Sequence, residues 1–133
     1  MISALKHVTI VVKDQDQALR WYTETLGLEK RTDRRMGKER WLSVGVKNQP
    51  WPEIVLQQPS VEAYGQETYD KKMAQVGQST TWVYAVSDCR AFVESLRLKG
   101  TRIVGEPEDK PWGISTLVAD LYGNVLNLVQ SKN

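Results

Sequence analysis

The sequence predicts an α+β protein built from two tandem βαβββ modules. The order strand, helix, strand, strand, strand is read twice along 133 residues. Landmarks recur in phase: Asp14 and Asp88 lie 74 residues apart, Gly27 and Gly100 73, and the closing triplets Ile54-Val55-Leu56 and Leu126-Asn127-Leu128 72. Strand segments alternate with period two, whereas apolar residues of the intervening segments recur at helical spacing. A module of about 60 residues is marginal alone, so two gain by pairing in one domain. The boundaries read as module one over 1–59, a linker over 60–79 and module two over 80–133.

Leu5–Val12 is the first strand, with Val8, Ile10 and Val12 on one face and His7, Thr9 and Val11 on the other. Asp14 then reads as an N-cap with Gln17 as its reciprocal partner. Ala18, Leu19, Tyr22 and Leu26 mark the buried stripe of a helix that Gly27 ends. Glu29–Arg34 is a strand, Met36-Gly37 a turn and Arg40–Val46 a strand that alternates Leu42, Val44 and Val46 against Trp41 and Ser43. A proline-containing turn, Asn48–Pro52, leads into Glu53–Gln58, which stops at Pro59. The polar stretch Ser60–Ser79 reads as a linker with a short helix carrying Tyr69, Met73 and Val76 on one side.

In the second half, Thr80–Val86 is a strand and Asp88 a second N-cap. Cys89, Phe92, Val93 and Leu96 are spaced as an amphipathic stripe, and Gly100 ends that helix. Arg102–Glu106, Ile114–Asp120 and Val125–Gln130 are strands joined by turns at Lys110–Gly113 and Leu121–Asn124. Gly123-Asn124 reads as hairpin chemistry with no phosphate loop.

Composition excludes a good deal of chemistry. Apolar residues make up 41% and charged residues 26%, the range of a folded soluble domain. Eighteen Lys and Arg against sixteen Asp and Glu leave a net charge of +2, too little basic excess to suggest a nucleic-acid binder. One cysteine, Cys89, excludes an intrachain disulfide framework, and one histidine, His7, excludes a His-rich zinc or iron site. No apolar run approaches the roughly 18 residues of a membrane span. The first residues lack a basic patch followed by an apolar stretch, so a cytoplasmic protein without membrane partners is expected.

The segments His7-Val8-Thr9-Ile10-Val11-Val12, Trp21-Tyr22, Leu26-Gly27-Leu28, Val86-Ser87-Asp88, Pro111-Trp112-Gly113, Asp120-Leu121-Tyr122-Gly123-Asn124 and Leu128-Val129-Gln130 resemble the vicinal oxygen chelate superfamily. That superfamily includes glyoxalase I, extradiol dioxygenases and bleomycin-resistance proteins. The resemblance implies a concave, partly open mixed-sheet barrel with helices outside, and commonly a homodimer. In metal-using members four inward-facing strand positions hold the ion. They fall here on His7, Val55, Thr81 and Asn127, and only His7 matches. The resemblance therefore implies a protein without metal or other cofactor that binds a small, partly aromatic molecule, as sequestering drug-resistance relatives do. The alternatives are a metal-dependent lyase or isomerase, a ring-cleaving dioxygenase, and a non-catalytic vestigial subunit. A shifted metal site would pair His7 with Glu53 or Gln57.

Strand parity gives Trp41, Ser43, Glu53, Gln57, Thr81 and Asn127 as candidate ligand residues, the resemblance adds Trp112 near the mouth of the cleft, and His7 is the one candidate for catalysis. The set is mostly neutral, which suits stacking and a few hydrogen bonds. Of the five tryptophans, Trp21 and Trp82 read as packing residues. Trp41, Trp51 and Trp112 stand at strand ends or turns, and Trp41 and Trp112 are preferred for stacking. Lys30–Arg40 holds six basic and two acidic residues, which read as a solvated hairpin before an anion-steering patch. Cys89 reads as a buried, inert thiol.

Overall fold

The computed structural model of the protein describes residues 1–132. They divide into two compact units, Met1–Val76 and a second beginning at Gly77. Each unit is a βαβββ module with a four-stranded mixed sheet, as the sequence predicts.

The first unit contains β1 (His7–Val11), α1 (Gln15–Arg20), β2 (Glu29–Met36), β3 (Glu39–Gly45), β4 (Glu53–Gln57), α2 (Val61–Tyr64) and α3 (Gln66–Met73). Its sheet order is β1-β4-β3-β2, with β1 parallel to β4 and the other neighbours antiparallel. Asp14 caps α1, its carboxylate accepting from Gln17 N at 2.8 Å. Beyond Arg20 the helix widens into a π turn over Trp21–Thr25, closed by Leu26 N donating to the Trp21 carbonyl. The segment read as a linker carries α2 and α3, and residues 60–76 group with this unit.

The second unit contains β5 (Val83–Ala85), α4 (Cys89–Leu98), β6 (Ile103–Lys110), β7 (Gly113–Ala119) and β8 (Val125–Ser131), in sheet order β5-β8-β7-β6. Asp88 caps α4 by accepting from Ala91 N at 3.1 Å. The first helical residue of each module is tied to the end of its last strand in the same way. Gln15 N donates to Gln58 Oε1, and Cys89 N to Gln130 Oε1, both at 2.9 Å. β5 is shorter than the sequence suggests and begins only at Val83. β6 is longer, running through Pro107 to Lys110. It is an edge strand with two register shifts, where a residue without an N–H is tolerated.

In each unit one sheet face packs against its helix. Ile10, Val12, Leu42, Val44, Ile54 and Leu56 bury one such face with Ala18 and Tyr22. Val118, Leu126 and Leu128 bury the other with Val93, Leu96 and Cys89. Some polar groups in these layers are satisfied locally, whereas the buried Tyr84 hydroxyl of β5 has no hydrogen-bond partner among the described residues. The Gln15 amide donates to the carbonyls of Leu56 and Arg40, and the Thr116 hydroxyl donates to the Gly105 carbonyl. The alternate residues of every strand are left on the opposite face, and that face carries the candidate site.

Candidate functional site

In the first unit, register brings the candidate side chains together. β1 and β4 pair His7 with Glu53 and Thr9 with Val55, and β3 and β4 pair Ser43 with Val55. All point away from α1, because side chains alternate and the neighbouring positions are core. The Ser43 hydroxyl accepts from Thr32 N at 3.2 Å and donates to Glu53 Oε1 at 2.6 Å. His7 Nε2 lies 4.0 Å from the same oxygen, beyond hydrogen-bond range and within reach of charge attraction only when the imidazole carries a proton on both nitrogens. The His7 ring meets Trp41 edge to face, centroids 5.5 Å apart at 83°. These two residues stand on strands either side of β4, so their rings meet across it.

Trp51 adds a third ring. Its centroid lies 6.4 Å from that of His7, and Lys6 Nζ sits 4.8 Å from the Trp51 ring centroid as a cation–π partner. The loop that carries Trp51 is tied down by Arg31. The guanidinium donates to the carbonyls of Val46 at 2.6 Å, Gln49 at 2.9 Å and Pro50 at 3.4 Å, and to Glu29 at 2.9 Å. It lies flat over Gly45, where a Cβ would come within 2.7 Å of Arg31 Cζ. Glycine stands at this strand position because another group approaches the backbone.

Gln57 belongs to the same face but to its far end, about 13 Å along β4 from Glu53. There its amide donates to the Tyr64 hydroxyl at 2.8 Å. Burial and a hydrogen bond with Glu39 together push the Tyr64 phenol above its ordinary range. His7, Trp41, Ser43 and Glu53 are thus gathered in one cluster, and Gln57 bonds to α2 at the far end of the strand. Thr81, Trp112 and Asn127 belong to the second unit. Thr81 precedes β5 and is outside the ladder, and Trp112 is an exposed indole in the β6–β7 turn. Asn127 pairs with Val83, and its Oδ1 accepts from the Ser115 hydroxyl at 3.3 Å. Cys89 is buried on α4, and that burial pushes its thiol up, away from the reactive thiolate.

Sequence reasoning passed over two contributors to the first cluster and one residue at the far end of the same face. Trp51 stands in a turn and was ranked behind Trp41 and Trp112, Arg31 sits in a strand read as solvated charge, and Tyr64, the partner of Gln57, falls in the segment read as a linker. A tryptophan flanked by two prolines, next to a lone glycine inside an alternating strand, was the available signal.

A family model described as Glyoxalase/Bleomycin resistance protein/Dioxygenase superfamily matches residues 4–128. The chain belongs to this superfamily. Among proteins similar to it, YurT of Bacillus subtilis strain 168, described as uncharacterized, is 34% identical over 123 residues, spanning 92% of this chain and 94% of YurT. The crystal structure of UcmS2 superposes with a TM-score of 0.88 at 39% identity, covering 98% of this chain and 100% of that one. TnmS3, described as an antibiotic binding protein from Streptomyces sp. CB03234, superposes with a TM-score of 0.81 at 26% identity, covering 98% of each chain.

The donor chemistry of this glyoxalase-superfamily chain does not fit a bound transition metal. Of the four positions that metal-using members employ, Val55 has no donor atom, Thr81 and Asn127 offer neutral oxygens, and His7 alone is a good ligand. The shifted alternative gives His7 and Glu53, with Gln57 at the other end of the strand. Among the described residues no three His, Cys, Asp or Glu side chains group to hold an ion. No helix among them is long and apolar enough to cross a membrane.

Proposed function

We propose that this chain is a metal-independent binding protein that holds a small, partly aromatic molecule against the sheet face of its first unit, as a sequestering protein does. The observation that carries this reading is the aromatic wall of His7, Trp41 and Trp51 standing beside the Ser43–Glu53 hydrogen bond. Rings offered at their edges and faces favour a flat ligand, and each good aromatic contact adds about 0.5–1.5 kcal/mol beyond burial. A neutral hydrogen bond adds about as much, so stacking and area dominate where no ion orients the ligand. The similarity to TnmS3, an antibiotic binding protein, supports the same reading. A homodimer in the cytoplasm, with no nucleic-acid or membrane partner, completes it.

The test uses 2-naphthol as a flat probe and follows the five tryptophan indole N–H resonances by NMR. Binding should move a subset of the indoles, survive EDTA, and weaken several-fold in Trp41→Ala and in Trp51→Ala, more than in Thr81→Ala. Stoichiometric metal in the purified protein, lost in His7→Ala and needed for probe binding, would overturn the proposal.

A further inference from the structure

The cluster holds one acceptor with capacity to spare. Both interactions of the Glu53 carboxylate use the same oxygen: Ser43 Oγ at 2.6 Å and His7 Nε2 at 4.0 Å both approach Oε1. Among the described residues no hydrogen bond reaches Oε2, and this atom is not among the buried unpartnered oxygens, so it still meets solvent. Ser43 does not serve a ligand in its place: its one proton goes to Glu53, and its oxygen, which accepts from Thr32 N, is fully buried. The Glu53 side chain is already largely covered, at 14% exposure. A flat molecule laid against His7, Trp41 and Trp51 would strip the remaining water from Oε2.

That is a severe condition on the ligand. A carboxylate oxygen deprived of water and given no donor is far more costly than a neutral group in the same position. A ligand that donates replaces the lost water with a charge-assisted bond, which is stronger than a neutral one. A site built around a polar group rejects the analogue that lacks its partner far more sharply than an apolar pocket rejects a missing methylene. We infer that Glu53 makes this face selective for aromatic molecules carrying an O–H or N–H donor, phenols and arylamines, against ethers and carboxylates of the same shape. This rests on the reading of the face as a ligand site. Glu53 is then a specificity-determining residue, with Ser43 and Thr32 fixing the carboxylate so that Oε2 points to the ligand.

The experiment compares 2-naphthol with 2-methoxynaphthalene, which has the same ring system and no donor, on wild-type protein and on Glu53→Gln. Glutamine keeps an oxygen for the Ser43 hydroxyl, so the local fold has a partner to retain. Wild-type protein should bind 2-naphthol about ten-fold more tightly than its methyl ether, and Glu53→Gln should reduce that ratio to below about three-fold, chiefly by weakening 2-naphthol. The tryptophan indole resonances should respond to both probes. Equal affinity of the wild-type protein for the two probes overturns the inference and leaves the aromatic site standing, and this arm needs no variant. A ratio unchanged in a folded Glu53→Gln protein also overturns it. Failure of both probes to move any indole overturns the site itself.

Discussion

Gly45→Ala is the sharpest test of how the site is held. The strand backbone at Gly45 is ordinary extended chain, so an added methyl group creates no conformational strain by itself. The difficulty is occupancy: the new Cβ would lie 2.7 Å from Arg31 Cζ and 3.0 Å from both terminal nitrogens. The guanidinium has to swing out, and in doing so it releases the carbonyls of Val46 and Gln49, at 2.6 and 2.9 Å, and the weaker contact to Pro50. Two charge-assisted hydrogen bonds are worth about 1.5–3 kcal/mol each when dry. The Arg31 side chain is 18% exposed, so both partners recover water and the loss falls toward about 2–3 kcal/mol in total. Replacing glycine within a strand returns about 0.5–1 kcal/mol. The net destabilisation is then about 1–2 kcal/mol, or roughly 3–10 °C in Tm for a chain of this size. Thermal and urea unfolding of Gly45→Ala, Arg31→Ala and the double variant measure it. In the Arg31→Ala background Gly45→Ala should be neutral or mildly stabilising. An equal cost in both backgrounds, or none in the wild type, would refute the account of Arg31 as the clamp on the Trp51 loop.

Three further outcomes follow from single features. Asp88→Ala removes the carboxylate that caps α4 and should cost about 1 kcal/mol in urea unfolding, with Asp88→Asn costing less. The Arg40 guanidinium, bonded to Asp33 at 2.8 Å, holds the Asp33 carboxyl below its ordinary range. Its contribution is therefore complete above about pH 4, the unfolded value, and disappears as acid protonates the folded carboxylate. Asp33→Asn should accordingly lower Tm at neutral pH and flatten its decline below pH 4. Light scattering coupled to size exclusion at micromolar concentration should give a dimer mass, and a monomer there would contradict the homodimer.

The fold was legible because three independent signals agreed: alternation, capping residues and a repeat in phase. Asp14 and Asp88 cap as their positions imply, since a short carboxylate before an apolar stripe has one good local use. The failures are local. β6 passes through Pro107, which reads as a strand end unless one knows that the strand lies at a sheet edge, where the missing N–H is not needed. Thr81 was read as a strand residue because β-branched and aromatic neighbours surround it, yet pairing with β8 begins only at Val83. In the site, parity placed His7, Trp41, Ser43 and Glu53 on one face, because a period of two leaves no freedom once the core face is known. Gln57 shares that parity at a different height, about 13 Å along β4 from Glu53, and was grouped with the others by face alone. The Arg31 clamp was invisible for another reason: its partners are loop carbonyls, and a backbone oxygen has no signature in sequence.

The two modules also show how one scaffold yields two different surfaces. On the face opposite its helix, the first sheet sets Thr9, Val55 and Ser43 side by side, and the second sets Val83, Asn127 and Leu117 in the corresponding order. One row is polar, apolar, polar and the other apolar, polar, apolar. The central residues Val55 and Asn127 are the positions where metal-using superfamily members place carboxylates. With valine at one centre and a neutral amide at the other, neither row can concentrate negative charge on an ion. In the first unit the ionisable chemistry lies instead one pleat repeat away, about 7 Å along the strands, in the His7–Glu53 pair. There the carboxylate has a serine to orient it, and the neighbouring His7 carries the contacts to Trp41 and Trp51, the arrangement that the proposed recognition of a donor on a flat molecule requires. On the reading proposed for this face, the strand pairing serves a hydrogen-bonding site in place of a metal site, and Val55 and Asn127 at the centres of the two rows are the residues that favour it.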